Sequence, residues 1–317
     1  KYRARQRQIQ QQHHVSGPSI LAVTFTNKAA GEMRERVEKL LGSHTTQNSP
    51  FVSTFHSFCV RLLRSNGSAL AEIRPGFTTS FNIYDSDDQL SLVKAIYRQL
   101  GLDDKTFMQH RGALSAISHS KNRKEGPEDL YKRSADPKSL RLAKVFELYN
   151  DRLRAANALD FDDLLLETVR LLQHDDETRA FYNRRFQFLM IDEYQDTNRS
   201  QYELIRLLTQ SHKNLCVVGD DDQSIYGWRG ATIRNILDFE KDYPDAAVIR
   251  LEQNYRSTKN ILEAASNLIA RNTERKGKWL WTEHEDGPKI GLYQAPDGEN
   301  EALFIARDLP ADHPEAR

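Results

Sequence analysis

Cysteine is nearly absent: Cys59 and Cys216 are the only two in 317 residues, too few for a disulfide scaffold or a zinc site. No apolar run approaches the ~20 residues of a membrane span, and no signal-peptide pattern opens the chain. Neither charge is in excess, since 45 Lys and Arg face 45 Asp and Glu; a uniformly basic nucleic-acid coat is thereby excluded. These absences predict a soluble cytoplasmic protein with no membrane partner. The balance hides an uneven distribution. Residues 1–80 carry 11 basic and 4 acidic side chains, whereas residues 161–252 carry 11 basic and 18 acidic ones. The first stretch suits a polyanion and the second a metal ion. The length suggests about two domains.

The chain opens on Lys1, runs through a Gln- and Arg-rich stretch from Arg3 to His14, and stops at Arg317 without a folding signal. Both ends are expected to be cuts in a longer protein. Between them, short apolar runs alternate with helical patterns. Ile20 to Phe25 reads as a buried strand, followed by a helix carrying Ala29, Ala30, Met33, Val37, Leu40 and Leu41 and ended by Gly42. Phe51 to Phe55 and Phe81 to Tyr84 read as further strands, the first leading into a helix from His56 to about Arg64. Asp85 is a good helix cap. Residues 87–160 look like a helical insertion with breakers at Gly101, Gly112, Gly126-Pro127 and Pro137. Alternation resumes with a helix from Asp160 to Leu172, a strand from Phe186 to Ile191, a helix over Ser200 to Leu208 and a strand from Leu215 to Val218. This order predicts an α/β fold with a parallel sheet covered on both faces.

Two segments carry chemistry. The apolar run Phe188-Leu189-Met190-Ile191 delivers Asp192-Glu193 to the carboxyl edge of the sheet, where such folds bind ligands. In nucleotide hydrolases the first such carboxylate holds Mg²⁺ and the next activates water; an ordinary acidic turn is the alternative. After the next strand comes Gly219-Asp220-Asp221-Asp222-Gln223-Ser224-Ile225-Tyr226-Gly227-Trp228-Arg229-Gly230-Ala231. Aromatic rings beside Arg and Gly suit stacking on unpaired bases; core packing is the alternative. Lys121-Asn122-Arg123-Lys124 in the insertion suits duplex phosphates, and a solvated loop accounts for it equally well.

Together these residues resemble the UvrD/PcrA/Rep family of superfamily 1A DNA helicases, from about Ser19 to Arg307. Thr24-Phe25-Thr26-Asn27-Lys28-Ala29-Ala30 is similar to motif Ia, and Thr54-Phe55-His56-Ser57-Phe58 to motif Ib. Leu159-Asp160-Phe161-Asp162-Asp163-Leu164 is similar to the next DNA-side motif. Asp192-Glu193-Tyr194-Gln195-Asp196 resembles motif II, with Tyr where Phe is more usual. Residues 219–231 resemble motif III, and Gln253-Asn254-Tyr255-Arg256-Ser257 motif IV. The resemblance implies a RecA-like P-loop NTPase sheet: domain 1A in residues 1–86 and 161–252, a helical subdomain 1B in 87–160, and the start of a second RecA-like domain, 2A, in 253–317. It implies ATP and Mg²⁺ as cofactors, with Asp192 on the metal, Glu193 as general base and Gln223 sensing the γ-phosphate. Tyr255 would stack on adenine and Arg256 would act as an arginine finger. Thr24, Phe25, Asn27, His56, Tyr226, Trp228 and Arg229 would bind DNA, as single strands and at single-strand/duplex junctions, with repair or replication proteins as further partners.

The family's P-loop, Gly-x-x-x-x-Gly-Lys-[Ser/Thr], has no counterpart here; the only Gly-Lys pair is Gly277-Lys278, followed by Trp279. The expected parent is therefore an ATP-driven 3′→5′ DNA helicase, and the 317 residues alone are expected neither to hydrolyse ATP efficiently nor to unwind DNA. A non-catalytic single-strand-binding module is the alternative; a helicase–nuclease relative would need a nuclease domain that is not visible. Loss of the P-loop strand from the middle of the sheet would leave edges unpaired. Ile261, Leu262 and Leu268 would lie exposed, and the isolated chain would be marginally stable.

Overall fold

The computed structural model of the chain describes residues 15–41, 49–133 and 136–308, apart from the side chains of Arg229 and Asp308. Gly42 and the Gln-rich opening lie outside the described residues. The chain divides into two compact units between Pro244 and Asp245.

In the first unit, β1 (Ile20–Thr24), β2 (Phe51–Thr54), β5 (Phe188–Ile191) and β6 (Leu215–Val217) form a parallel sheet in the order β2-β1-β5-β6. The runs are short and apolar, as in a sheet whose strands are covered on both faces. Register pairs Leu21 with Leu189 and Ala22 with Val52. One face carries Leu21, Val23, Leu189 and Ile191 into the main core. There they meet Phe55, Phe58 and Leu62 of α2 (Phe55–Ser65), Leu164 and Leu165 of α8, and Leu204 and Leu208 of α10. α8 (Phe161–His174) and α10 (Arg199–Thr209) each open on a reciprocal capping box, Asp160 with Asp163 and Asn198 with Gln201. α3 (Gly67–Ile73) and α9 (Asp176–Arg185) complete this layer; no strong periodic signal marks either in the sequence.

The opposite face departs from expectation. α1 (Asn27–Leu41) covers only the β1–β2 side, through Ala22, Val52, Ala30 and Met33. Met190 on β5 is 45% exposed and Cys216 on β6 is exposed, so no described element packs there. Nor do the described strands leave a gap: β1 pairs with β5 and β5 with β6 directly, and β2 and β6 are the outer strands among the described residues.

The helical insertion has its own core. α4 (Ser86–Leu100), α5 (His110–Asn122), α6 (Pro127–Arg133) and α7 (Pro137–Ala155) bury Val93, Ile96, Tyr97, Ile117, Phe146, Tyr149 and Leu153 together. Asp85 caps α4 with Asp88 in a capping box, and Gly101 ends it in the left-handed region at φ 63°. Pro127 and Pro137 start helices, as proline does at a first turn. Gly112, expected as a breaker, lies instead inside α5. A Cβ there would meet Met108 Cγ at 3.2 Å, so its smallness serves packing. The insertion leaves and rejoins the unit through two hydrogen-bonded strands, β3 (Asn82–Ile83) and β4 (Ala158–Leu159). Two single-turn helices, α11 (Arg234–Leu237) and α12 (Phe239–Asp242), close the first unit.

The second unit holds α13 (Lys259–Ile269) and α14 (Gly298–Asp308), with an isolated parallel bridge between Gln253 and Trp281. Ile261 and Leu268 are exposed as expected, but Leu262 is buried at 7% exposure, because α13 turns that face inward. No helix among the described residues is long and apolar enough to cross a membrane.

Candidate functional site

β5 ends by handing its last residues to a tight turn. The Asp192 amide still bonds β1 through the Val23 carbonyl at 3.0 Å, and Asp192 Oδ1 accepts the Glu193 amide at 3.0 Å. Glu193 sits in the left-handed region (φ 53°, ψ 43°), a conformation that costs a non-glycine residue about 1–2 kcal/mol. The two carboxylates therefore stand side by side at the strand's carboxyl end. Desolvation, reinforced by Glu193, pushes the Asp192 pKa above its ordinary value. Among the described residues no lysine or arginine forms an ion pair with either. An uncompensated pair of hard oxygen donors fits a Mg²⁺ ion.

The four residues after Tyr194 hold the next loop. Gln195, 1% exposed, donates from Nε2 to Glu193 Oε2 at 2.6 Å and accepts the Asp220 amide on Oε1 at 3.0 Å. Asp196 takes the amides of Ile225 and Tyr226; burial nonetheless raises its pKa. The Thr197 carbonyl accepts Thr232 N–H at 3.1 Å and Asn235 Nδ2 at 3.0 Å. Asn198 forms an antiparallel bridge with Ala231. Gly219 is needed where the two segments meet, since a Cβ would lie 2.6 Å from Gln195 Oε1 and 2.8 Å from Ile236 Cδ1.

On this loop, Gln223 is exposed and donates to Asp220 Oδ2 at 2.6 Å. Beyond it, Trp228 is 73% exposed, and its ring lies 6.4 Å from that of Tyr226, tilted by 38°. Trp228 is therefore not part of the core of this unit. The Arg229 side chain lies outside the described residues. At the neighbouring strand ends, Phe25 is half-buried against Phe55 with ring centroids 5.6 Å apart, and Asn27 is exposed. His56 stands edge-on to Phe161, 5.6 Å between centroids; burial lowers its pKa and favours the neutral ring. Thr24, by contrast, is 1% exposed, so its side chain is interior and offers no surface to a strand.

In the basic run of the insertion, Lys121 is turned away from any phosphate. Lys121 is buried and donates to Asp160 Oδ2 at 2.6 Å and Asp163 Oδ1 at 2.8 Å. Burial opposes its charge, but Asp163 and Asp160 outweigh that and raise its pKa to about 12. Arg123 pairs with Glu125 at 2.9 Å and Lys124 with Glu203. These charges already have protein partners, which the linear sequence cannot show.

In the second unit, Asn254 Oδ1 accepts the amides of Arg256 and Ser257 at 2.9 and 2.8 Å, an Asx turn that fixes the backbone under Tyr255 and Arg256. Tyr255 is 76% exposed and donates to Gln253 Oε1 at 2.6 Å; Arg256 is exposed.

Gln195 has no role of its own that the linear sequence reveals. Its signal was present only as a glutamine three residues after the acidic strand end; the bridging became legible once β5 and β6 were neighbours. Residues 4–244 match the family model described as UvrD/REP helicase N-terminal domain, and residues 249–315 match the UvrD-like helicase C-terminal domain. The ATP-dependent DNA helicase PcrA of Staphylococcus aureus is 48% identical over 295 residues, which is 93% of this chain and 39% of that relative. PcrA of Staphylococcus epidermidis gives the same identity and coverage. The chain thus spans 39% of the length of these curated relatives.

Proposed function

The chain belongs to the UvrD/REP helicase family, and from that premise we propose that it is part of an ATP-driven 3′→5′ DNA helicase and that these 317 residues do not unwind DNA on their own. In this reading residues 1–86 and 161–252 form the first motor lobe, 87–160 its helical insertion, and 253–317 the start of a second lobe. Asp192 would hold Mg²⁺, which when bound screens the phosphate charge. Glu193 accepts a proton from the attacking water, and Gln223 reads the γ-phosphate. Tyr255 stacks on adenine, and Arg256 presents a planar fork to the transferring phosphate. Phe25, Asn27, His56, Tyr226, Trp228 and Arg229 grip an unpaired strand, with single-strand/duplex junctions as the working substrate. The cytoplasm is the proposed location, and repair or replication proteins are the proposed partners.

The observation that carries this reading is the run Gln195–Asn198. Each of its residues bonds a different part of residues 220–235, so the acidic turn and the aromatic loop share one scaffold. A motor needs such sharing, because fuel use must be felt at the strand. The phosphate-cradling glycine loop is not in this sequence, so the test is placed on strand binding. In a fluorescence-anisotropy titration with labelled oligo-dT, binding should weaken as salt rises. Trp228→Ala should weaken it by about 5- to 150-fold, the equivalent of ~1–3 kcal/mol of stacking. An unchanged affinity would remove Trp228 from the strand path.

A further inference from the structure

The loop that bears Trp228 is held from a second side. Asn122, the last residue of α5 in the helical insertion, accepts a hydrogen bond from Asn198 Nδ2 on its Oδ1 at 2.8 Å. Its own Nδ2 donates to the Ser118 carbonyl at 2.9 Å, to Asp162 Oδ1 at 3.1 Å and, more weakly, to Ser118 Oγ at 3.4 Å. Because a carbonyl and a carboxylate only accept, the amide has one permitted orientation, with its oxygen toward Asn198. Asn122 also backs the aromatic turn directly: Gly230, at φ 82°, lies so close that a Cβ would sit 3.3 Å from Asn122 Cβ. The preceding residue is Lys121, locked between Asp160 and Asp163. The end of α5 is therefore fixed both to α8 and to the loop.

We propose that Asn122 is a positioning residue for single-strand binding: acting through Asn198 and Gly230, it sets the turn that presents Trp228. The helical insertion then takes part in the grip on the strand without touching a base. This rests on the reading of Trp228 as a base-stacking residue.

Two substitutions separate this role from general packing. Asn122→Ala removes the acceptor for Asn198 and keeps the Cβ that backs Gly230. Asn198→Ser is the gentler probe: Asn198 Oδ1 caps α10 by accepting the Gln201 amide at 2.9 Å, and a serine oxygen can still do so. Serine has no amide donor for Asn122, so only the link is lost. Oligo-dT affinity is measured by anisotropy for each variant alone and combined with Trp228→Ala, with a thermal melt of each protein alongside. Each single variant should lose about 3- to 10-fold in affinity, the worth of one hydrogen bond. In the Trp228→Ala background the same changes should cost nothing further, which a merely destabilising role would not produce. If Trp228→Ala weakens binding but both asparagine variants bind as wild type, or if their losses simply add, the proposal is wrong. If Trp228→Ala itself has no effect, the underlying strand reading fails, and this inference with it.

Discussion

Replacing Lys121 by methionine tests the buried charge cluster at the base of the insertion. Lys121, Asp160 and Asp163 have side chains only 4%, 3% and 7% exposed. Removing the ammonium strands two carboxylates in a place water barely reaches. Asp160 keeps the Tyr149 hydroxyl at 2.9 Å and the Asp163 amide at 2.8 Å, but Asp163 loses the one ammonium it bonds. Breaking a buried pair in this way costs about 3–5 kcal/mol. For a unit of this size that lowers the melting temperature by about 6–20 °C. The sign of the pH dependence follows from Asp163, whose pKa is already raised to about 6 by burial and by Asp160. A carboxyl with a raised folded pKa gains stability as pH falls through that value and loses it as pH rises. Without Lys121 the folded pKa climbs further, so the deficit of Lys121→Met should be largest at pH 7.5 and shrink at pH 5.5. Circular-dichroism melts and urea titrations at both pH values measure it. A loss below about 1 kcal/mol at pH 7.5, or a deficit that grows on acidification, would refute the account of a compensated buried cluster.

Gln195→Ala should leave the Asp220 amide without its acceptor and cost about 1–3 kcal/mol. Hydrogen exchange read by mass spectrometry should show peptides covering residues 219–224 losing protection, and unchanged exchange there would argue against the bridge. The two thiols should separate cleanly under a thiol-reactive disulfide reagent. Cys216 is exposed and should react at once, whereas Cys59, buried with a pKa pushed up to about 12, should react only after unfolding. Two fast thiols in the native protein would contradict the covered face around α2.

What the sequence revealed and what it hid divide along a physical line. Strands β1, β2, β5 and β6 are readable because each is a short apolar run between polar segments, and Asp85 announces a helix by its capping chemistry. Asp192-Glu193 stands out as a charged pair directly after an apolar strand, and Trp228 as a ring beside Tyr226, Arg229 and two glycines. Partnership was invisible. Lys121, Arg123 and Lys124 looked like a free basic patch because their carboxylates lie 2 to 79 residues away in sequence. Thr24 looked like part of a surface motif, yet burial claims it. Gly112 read as punctuation, although its neighbour Met108 is what requires a small residue. The bare faces of Met190 and Cys216 could not be foreseen either, since local periodicity says nothing about which helix returns to cover a strand.

The neighbouring necks β3 and β4 have a consequence for engineering. Because the outgoing and returning backbones are already hydrogen-bonded side by side, everything from Tyr84 to Asn157 is topologically a plug-in cassette. Because the two strands run parallel, any replacement must be a crossover of about a dozen residues or more rather than a tight turn. Such a swap would still not be silent, for it would discard Lys121, Asn122, Lys124 and Tyr149, side chains by which the cassette reaches back to its socket.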